Sequence, residues 1–413
     1  MYLTDEEQRI LNGECGEPQR LALQVLAKLG EACGAERLVE IASAHLVASS
    51  YQIAGEAGIE IYSRLVEQGA RVKVRTTSDP GSIDFARWRE FKTPAEYAAR
   101  QLRIAELLDQ MGVIPTWTCT PYAAFNVPRF GDHLGWSESS AVVFVNSVMG
   151  ARTNRLAAYV DLCAALTGRV PYFGLHLTEN RRGEVLFELT PDLAADFADH
   201  YFPALGYLVG QTVGDKIPVI VGLTRATFDQ LKAFGAASAA SGSVALYHMV
   251  GITPEARTLE EACGGRIPAE RITVGTREIT AVMEQMGGVT DGPVDVVGIG
   301  CPHASIDQMR RYVALLAGQR VHPDTELWVC TNVVVEEMAR KMGYVEIIER
   351  AGAKLMVGTC HNDCPLQAWG FRRLVTDSGK FAYYTPTTVG TQCVFASTEA
   401  CIRAAVAGRV ERS

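Results

Sequence analysis

The sequence has little positive charge and no basic cluster. Its 39 lysines and arginines are outnumbered by 47 aspartates and glutamates, which gives a formal net charge of -8 at pH 7. No run of five or more lysines and arginines occurs in the chain. Because a phosphate backbone or an anionic membrane is bound through clustered cations, we expect neither nucleic acid nor a membrane surface as a partner.

Long apolar runs are also missing. No stretch approaches the ~20 apolar residues that a membrane-spanning helix requires. The first residues, MYLTDEEQRILNGE, lack a basic segment followed by an apolar one, so we expect a cytoplasmic protein. The 11 cysteines are an odd number at irregular spacing, which argues against a disulfide framework and for reduced thiols, some of them on a metal.

Several common catalytic and binding motifs are absent. The chain has no Cys-x-x-Cys pair, no His-Glu-x-x-His, no phosphate-binding loop and no Gly-x-Gly-x-x-Gly. These absences argue against a zinc ribbon, a thioredoxin-like site, a zinc protease and a nucleotide-binding protein.

Strand-like apolar runs alternate with segments of helical period. Examples are REITAVMEQMGG before VDVVGIG, SIDQMRRYVALLAG before TELWVC, and VEEMARKMGYVEIIERAG before KLMVGT. Near-continuous apolar strands separated by helices are typical of parallel sheets covered on both faces. The sequence therefore predicts an α/β protein with largely parallel sheets, divided into two or more lobes near residue 210.

Three cysteines follow apolar runs of this kind. Cys119 ends GVIPTWTC, Cys301 ends DVVGIGC and Cys360 ends AKLMVGTC. Ligands of open parallel sheets bind beyond the carboxyl ends of the strands, so these thiols could converge. Three such thiolates suit an iron-sulfur cluster with one open iron. The alternative is that each of the three is a buried core thiol. Cys330, which ends ELWVC, is the next candidate ligand.

Polar residues near these runs are candidates for substrate binding. GARTNR supplies Arg152, Asn154 and Arg155, a possible carboxylate clamp or simply a solvated helix start. SAHLVASSY supplies His45 and Ser50 ahead of a helix, whose free amides favour a carboxylate.

A glycine turn offers two further groups. TDSGKF sets Ser378 and Lys380 on either side of Gly379, where a hydroxyl and an ammonium can face an anion.

Ordered motifs along nearly the whole chain resemble the catalytic component of the aconitase X family. They are CTPY, GDHLGWSESSAVVFVNSVMGARTNR, LTGRVPYFGLH, GCPHAS, GTC and TDSGKFAYYTP. The resemblance implies aconitase-like layered α/β lobes, an iron-sulfur cluster on Cys119, Cys301 and Cys360, and dehydration of a small hydroxy acid. Gly358 and Thr359 stand where the family pattern has an aspartate before the third cysteine, which puts a partner of that ligand in doubt.

The resemblance also implies a small swivelling domain, which no segment of this chain supplies, so we expect a separate small subunit to complete the site. Ser378 is the candidate base by analogy with the aconitase serine, although the partner could provide the base instead. Of the two known activities we prefer cis-3-hydroxy-L-proline dehydratase. Mevalonate 5-phosphate dehydratase is the alternative, and a noncatalytic subunit that binds a small acid or scaffolds a partner is the rival from another class.

Overall fold

The computed structural model describes residues 1–287, 291–365, 369–388 and 390–410. Three parallel sheets follow one another along the chain, each covered by helices. This arrangement confirms the predicted α/β class with largely parallel sheets. None of the helices in the described ranges is long and apolar enough to cross a membrane.

The first segment contains a three-stranded parallel sheet in the order β3-β2-β4 and an antiparallel pair, β1 with β5. Its elements are α1 (Asp5–Leu11), α2 (Glu17–Ala32), β1 (Leu38–Glu40), β2 (Ser43–Leu46), α3 (Tyr51–Glu67), β3 (Arg75–Ser78), α4 (Ala95–Gln110), β4 (Leu134–Trp136), α5 (Ser139–Phe144), α6 (Val160–Thr167) and β5 (Arg169–Pro171).

The second segment contains a four-stranded parallel sheet in the order β8-β7-β6-β9. Its elements are β6 (Val185–Leu189), α7 (Pro191–Ala195), α8 (Tyr201–Val213), β7 (Pro218–Val221), α9 (Phe228–Ser241), β8 (His248–Met249), α10 (Leu259–Ala262), β9 (Arg271–Val274) and α11 (Thr276–Gln285). The division expected near residue 210 falls inside α8.

The third segment contains a five-stranded parallel sheet in the order β13-β12-β11-β14-β15, with β10 paired to β16. Its elements are β10 (Gly292–Pro293), β11 (Val296–Ile299), α12 (Ile306–Leu316), β12 (Glu326–Thr331), α13 (Val333–Lys341), α14 (Tyr344–Arg350), β13 (Lys354–Val357), β14 (Arg373–Thr376), α15 (Gly379–Thr388), β15 (Gln392–Phe395), α16 (Thr398–Ala407) and β16 (Arg409–Val410).

The five-stranded sheet reverses its direction of growth next to β11. The chain builds outward from β11 to β12 and β13, then returns to place β14 on the other side of β11. All four residues of β11 are buried, which explains the unbroken apolar run. In doubly wound sheets, ligands bind where the strand order reverses, at the carboxyl ends of the strands.

The run that leads to Cys119 is the exception to the predicted strands. Residues 114–118 lie beside β3, where Ile114 N and Thr118 N donate to the carbonyls of Thr76 and Ser78, but they form only an isolated bridge. Pro115 lacks an amide hydrogen and Trp117 has a positive φ of 44°, so a regular ladder cannot continue. The prediction of a strand here was wrong.

Candidate functional site

The three-stranded sheet and the five-stranded sheet face each other with the carboxyl ends of their strands. The loops that follow β3 and β13 meet, since Gly81 N donates to Gly358 O at 2.9 Å and Val357 N donates to Asp84 Oδ2 at 3.0 Å. A parallel bridge between Gly81 and Thr359 continues this contact. The residues that follow β2, β3 and β4 therefore face those that follow β11, β13 and β14.

The three predicted cysteines are linked at this junction. His303 N donates to Cys119 Sγ at 3.3 Å, and Asn362 Nδ2 donates to Cys301 Sγ at 3.8 Å. Because His303 lies two residues after Cys301 and Asn362 two residues after Cys360, these contacts connect all three loops. His303 Nε2 also contacts the carbonyl oxygen of Thr359 at 2.8 Å.

Burial keeps these thiols protonated. It raises the pKa of Cys119 and Cys360 well above the usual value, and raises that of Cys301 as well. After burial, Asp363 and then Cys301 and Cys119 raise the pKa of Cys360, so the three thiols influence one another's ionisation. Cys301 is the most accessible of the three and borders a cleft of about 660 Å³ between α9, α12 and α16.

Cys330, the next candidate, lies within β12 instead of beyond it. Its side chain is fully buried, and burial raises the pKa of the thiol well above its usual value. This position fits a core cysteine more closely than it fits a residue at the rim of the sheet.

A buried ion pair joins the two sheets at the same place. Lys380 Nζ, from α15, lies 2.5 Å from Glu138 Oε1, two residues after β4. Glu138 also caps α5 by accepting from Ser140 Oγ at 2.7 Å and Ala141 N at 2.6 Å. Burial alone would raise the pKa of Glu138, but Lys380 and these hydrogen bonds outweigh it and lower the pKa to about 2.

Lys380 is the predicted anion-binding residue, and the structure places it within electrostatic range of Cys301 and Cys119. Glu138 was not predicted. A signal for it exists in WSESSAVV, where an acidic residue precedes two serines at the start of a helix, a typical N-cap pattern.

Ser378 lies beside Cys301 and immediately precedes α15. Its hydroxyl accepts from Phe381 N at 3.1 Å, and it also forms a hydrogen bond that lowers the pKa of Cys301 against the larger effect of burial. The hydroxyl is thus held at the junction by the first turn of the helix.

His45 and Ser50 lie at the carboxyl edge of the first sheet. Ser50 Oγ caps α3 by accepting from Ile53 N at 3.3 Å. His45 is fully buried within β2, with Nδ1 2.8 Å from Thr77 Oγ1 and Nε2 3.4 Å from Asp79 Oδ1. Burial lowers the pKa of His45 to about 4 and raises that of Asp79 well above its usual value, so this contact joins two neutral groups instead of an ion pair.

The structure does not bring the predicted arginine clamp to the thiols. Arg152 donates to His176 O at 2.9 Å, and Asn154 binds Phe173 O and Leu175 N. Arg155 is exposed and lines a separate cavity between the first and second segments. Their role in substrate binding stays a prediction without support from this geometry.

Comparison with known proteins agrees with this architecture. Three family models match in order, described as the aconitase X first domain (residues 1–179), second domain (183–284) and third domain (294–407). The crystal structure of Thermococcus kodakaraensis aconitase X in its holo-form superimposes with a TM-score of 0.89 at 39% identity, covering 98% of this chain and 100% of that one.

Relatives of known activity are dehydratases. The phosphomevalonate dehydratase large subunit of Methanocaldococcus jannaschii is 39% identical over 98% of this chain and 100% of its own length. The cis-3-hydroxy-L-proline dehydratase of Pseudomonas aeruginosa is also 39% identical over 98% of this chain, but over 70% of its own length. These similarities confirm the predicted hydro-lyase class, and the chain belongs to the aconitase X family.

Proposed function

We propose that this chain is the large subunit of an iron-sulfur-dependent dehydratase that removes water from cis-3-hydroxy-L-proline. The observation that carries the proposal is the junction of the three thiols, two buried and one partly buried, with the Lys380–Glu138 pair. Three cysteine sulfurs and one lysine, whose charge is balanced by Glu138, thus lie together at the carboxyl ends of the three-stranded and five-stranded sheets.

Cys119, Cys301 and Cys360 would hold the cluster. The described residues contain no group of three or more histidines, cysteines, aspartates and glutamates that could hold a single metal ion. A cluster would differ, because its thiolate ligands are distributed over two or more irons, which suits thiols that are linked through intervening loops. Their raised pKa values also fit, since buried thiols need a bound cation to ionise. When bound, such a cluster supplies a Lewis acid for a leaving hydroxyl.

The chain's own residues supply the other functions of a dehydratase. Lys380 binds the substrate carboxylate from one side, and Ser50 and His45 line the facing sheet edge. Ser378 is the proposed base that takes the hydrogen alpha to the carboxylate, because its hydroxyl lies between Cys301 and the start of α15.

The charges at the junction favour hydroxyproline over the phosphorylated alternative. Lys380 is the cation that affects the pKa of both Cys119 and Cys301 in the described chain, and Glu138 already balances it. The amino acid is a zwitterion with a single carboxylate. Mevalonate 5-phosphate adds a phosphate with up to two charges, which would need further cations. The alternative is favoured by the full-length match to the M. jannaschii large subunit.

We expect the reconstituted enzyme to dehydrate cis-3-hydroxy-L-proline and to leave mevalonate 5-phosphate unchanged. The measurement is anaerobic turnover of each compound, with the cyclic imine or the phosphorylated alkenoate as the product. Turnover of the phosphate alone would contradict the substrate choice and leave the reaction class intact.

We also propose a small-subunit partner, because relatives of the same length are named large subunits and the proline dehydratase is longer than this chain. The isolated chain is therefore expected to be inactive, and co-expression with the small subunit to restore turnover. Closure by the partner would exclude water from the junction. Equal activity with and without the small subunit would refute the two-subunit proposal.

A further inference from the structure

Three thiols on three separate loops can bind one cluster only if the distances between the loops are fixed. We propose that His303 is a positioning residue that ties these loops together and holds the thiols at the spacing of a single cluster. This inference rests on the proposed iron-sulfur site and deepens it.

The imidazole of His303 contacts the loops of the other two thiols. Its Nδ1 lies 3.0 Å from Oγ1 of Thr118, the residue before Cys119. Its Nε2 lies 2.8 Å from the carbonyl oxygen of Thr359, the residue before Cys360. Since a carbonyl oxygen only accepts, Nε2 carries a hydrogen and donates it to Thr359. One side chain therefore joins the two loops that flank its own.

The main chain of His303 completes these connections. Its N–H donates to Cys119 Sγ at 3.3 Å, so the loop that carries Cys301 directly contacts the thiol of another loop. Its carbonyl oxygen accepts from Lys232 Nζ on α9 at 3.0 Å, which ties this loop to the second segment. His303 is 1% exposed and all four of its polar atoms have partners, so it cannot move without breaking several contacts at once.

The loop that carries Cys119 leaves the first sheet just before the thiol. Pro115 has no amide hydrogen and Trp117 has a positive φ, so the segment beside β3 forms only an isolated bridge. The contact between the Thr118 hydroxyl and His303 anchors the loop at the point where regular strand pairing has ended. The position of this thiol should therefore depend on His303.

A second link between the thiol loops is longer. Asn362 Nδ2 donates to Cys301 Sγ at 3.8 Å, whereas the corresponding contact from His303 N to Cys119 Sγ is 3.3 Å. The two imidazole contacts of His303 are shorter still. Because hydrogen bonds weaken as their length increases, loss of the His303 contacts should disturb the thiols more than loss of the Asn362 contact.

The alternative is that His303 serves only to fill the core between the sheets. Replacement of such a residue should loosen both flanking loops alike. Replacement of a positioning residue should loosen only the loop whose contact is lost. The two ring nitrogens allow this distinction, because asparagine and glutamine can each replace one nitrogen of a histidine with an amide group.

The test compares two variants of His303. In His303→Asn the amide lies near the position of Nδ1, so the contact with Thr118 is kept and the contact with Thr359 is lost. In His303→Gln the amide reaches the position of Nε2, so the contact with Thr359 is kept and the contact with Thr118 is lost. The main-chain contacts of residue 303 are present in both variants.

The first readout is the alkylation rate of each cysteine by iodoacetamide in the full chain freed of metal, measured by mass spectrometry. The exposed Cys15 is the internal reference. We expect alkylation of Cys360 to be about tenfold faster in His303→Asn, and that of Cys119 about tenfold faster in His303→Gln. This change in local opening corresponds to the loss of one buried hydrogen bond. Thr118→Val removes the same contact from the other side and should reproduce the result for His303→Gln.

The second readout is the rate at which the two-subunit enzyme loses iron to a chelator under anaerobic conditions. We expect this rate to rise by about 10–100-fold in both His303 variants. His248→Asn and His248→Gln are matched controls, because His248 is also buried and its Nε2 contacts the carbonyl oxygen of Arg181 at 2.7 Å in the second segment. They should lower thermal stability but leave alkylation of Cys119 and Cys360 and the loss of iron at wild-type rates.

Two results would overturn the positioning role of His303 while the proposed function stands. One is equal acceleration of alkylation at both thiols in both variants, or no acceleration in either. The other is unchanged loss of iron in variants whose thiols are alkylated faster. Because alkylation requires no cluster, it also separates the two proposals: a wild type without iron but with the expected alkylation pattern would refute the proposed function and leave His303 as the residue that positions the loops.

Discussion

Replacement of Cys301 by serine is expected to abolish dehydratase activity and remove bound iron while the chain remains folded. Serine is a hard, weakly acidic donor that replaces thiolate poorly on iron. The loss of iron affinity should exceed the ~10–100-fold effect of losing a group that merely supports a ligand. Because Cys301 is only partly buried, the free energy of unfolding should fall by no more than about 1 kcal/mol.

The measurements are iron and acid-labile sulfide after anaerobic purification, together with thermal unfolding. Cys263→Ser is a matched control, since this buried thiol packs in the second segment against Leu186 and Val219. It should keep iron and sulfide at wild-type levels. Full iron in Cys301→Ser would remove this thiol from the proposed ligand set, and a wild type without iron or sulfide would favour the noncatalytic alternative.

The parts of the fold that sequence predicted well are those governed by local patterns. The strand at Val296–Ile299 and the helix at Ile306–Leu316 follow from an apolar run and from a Ser305/Gln308 capping box. The run before Cys119 failed as a strand because one proline and one residue with positive φ interrupt its ladder. Cys119 still lies at the edge of the first sheet, since the segment before it runs beside β3.

The parts of the site that sequence missed depend on distant contacts. The pairing of Glu138 with Lys380 is one of them, because the two residues are 242 apart and Glu138 alone reads as an ordinary N-cap residue. The arginines of GARTNR show the opposite case, because their local clustering suggested a clamp while their hydrogen bonds go to backbone carbonyls.

The Lys380–Glu138 pair should be important for both folding and catalysis. Removal of one partner leaves the other charge buried, since the side chains of Lys380 and Glu138 are 14% and 5% exposed. Lys380→Met or Glu138→Gln alone is therefore expected to lower the free energy of unfolding by about 3 kcal/mol, near the lower end for buried pairs. Lys216→Met, which removes an exposed partner of Glu270, is the control and should leave the unfolding curve close to that of the wild type.

The double variant Lys380→Met/Glu138→Gln separates the two roles. It leaves no buried charge at this position, so it should regain most of the lost stability. It should remain inactive, however, because the cation that binds the substrate carboxylate is gone. Restored activity in this variant would show that the pair serves folding alone and would remove Lys380 from the proposed site.

The pair should also leave a signature in the pH dependence of stability. The folded pKa of Glu138, about 2, lies below its usual value of 4.5, so its contribution is complete above pH 4.5 and is lost as the pH falls toward 2. As the pH falls over this interval, the Tm of the wild type should thus decrease more steeply than the Tm of the double variant. Parallel curves would mean that Glu138 is not held as a carboxylate by Lys380 in the folded chain.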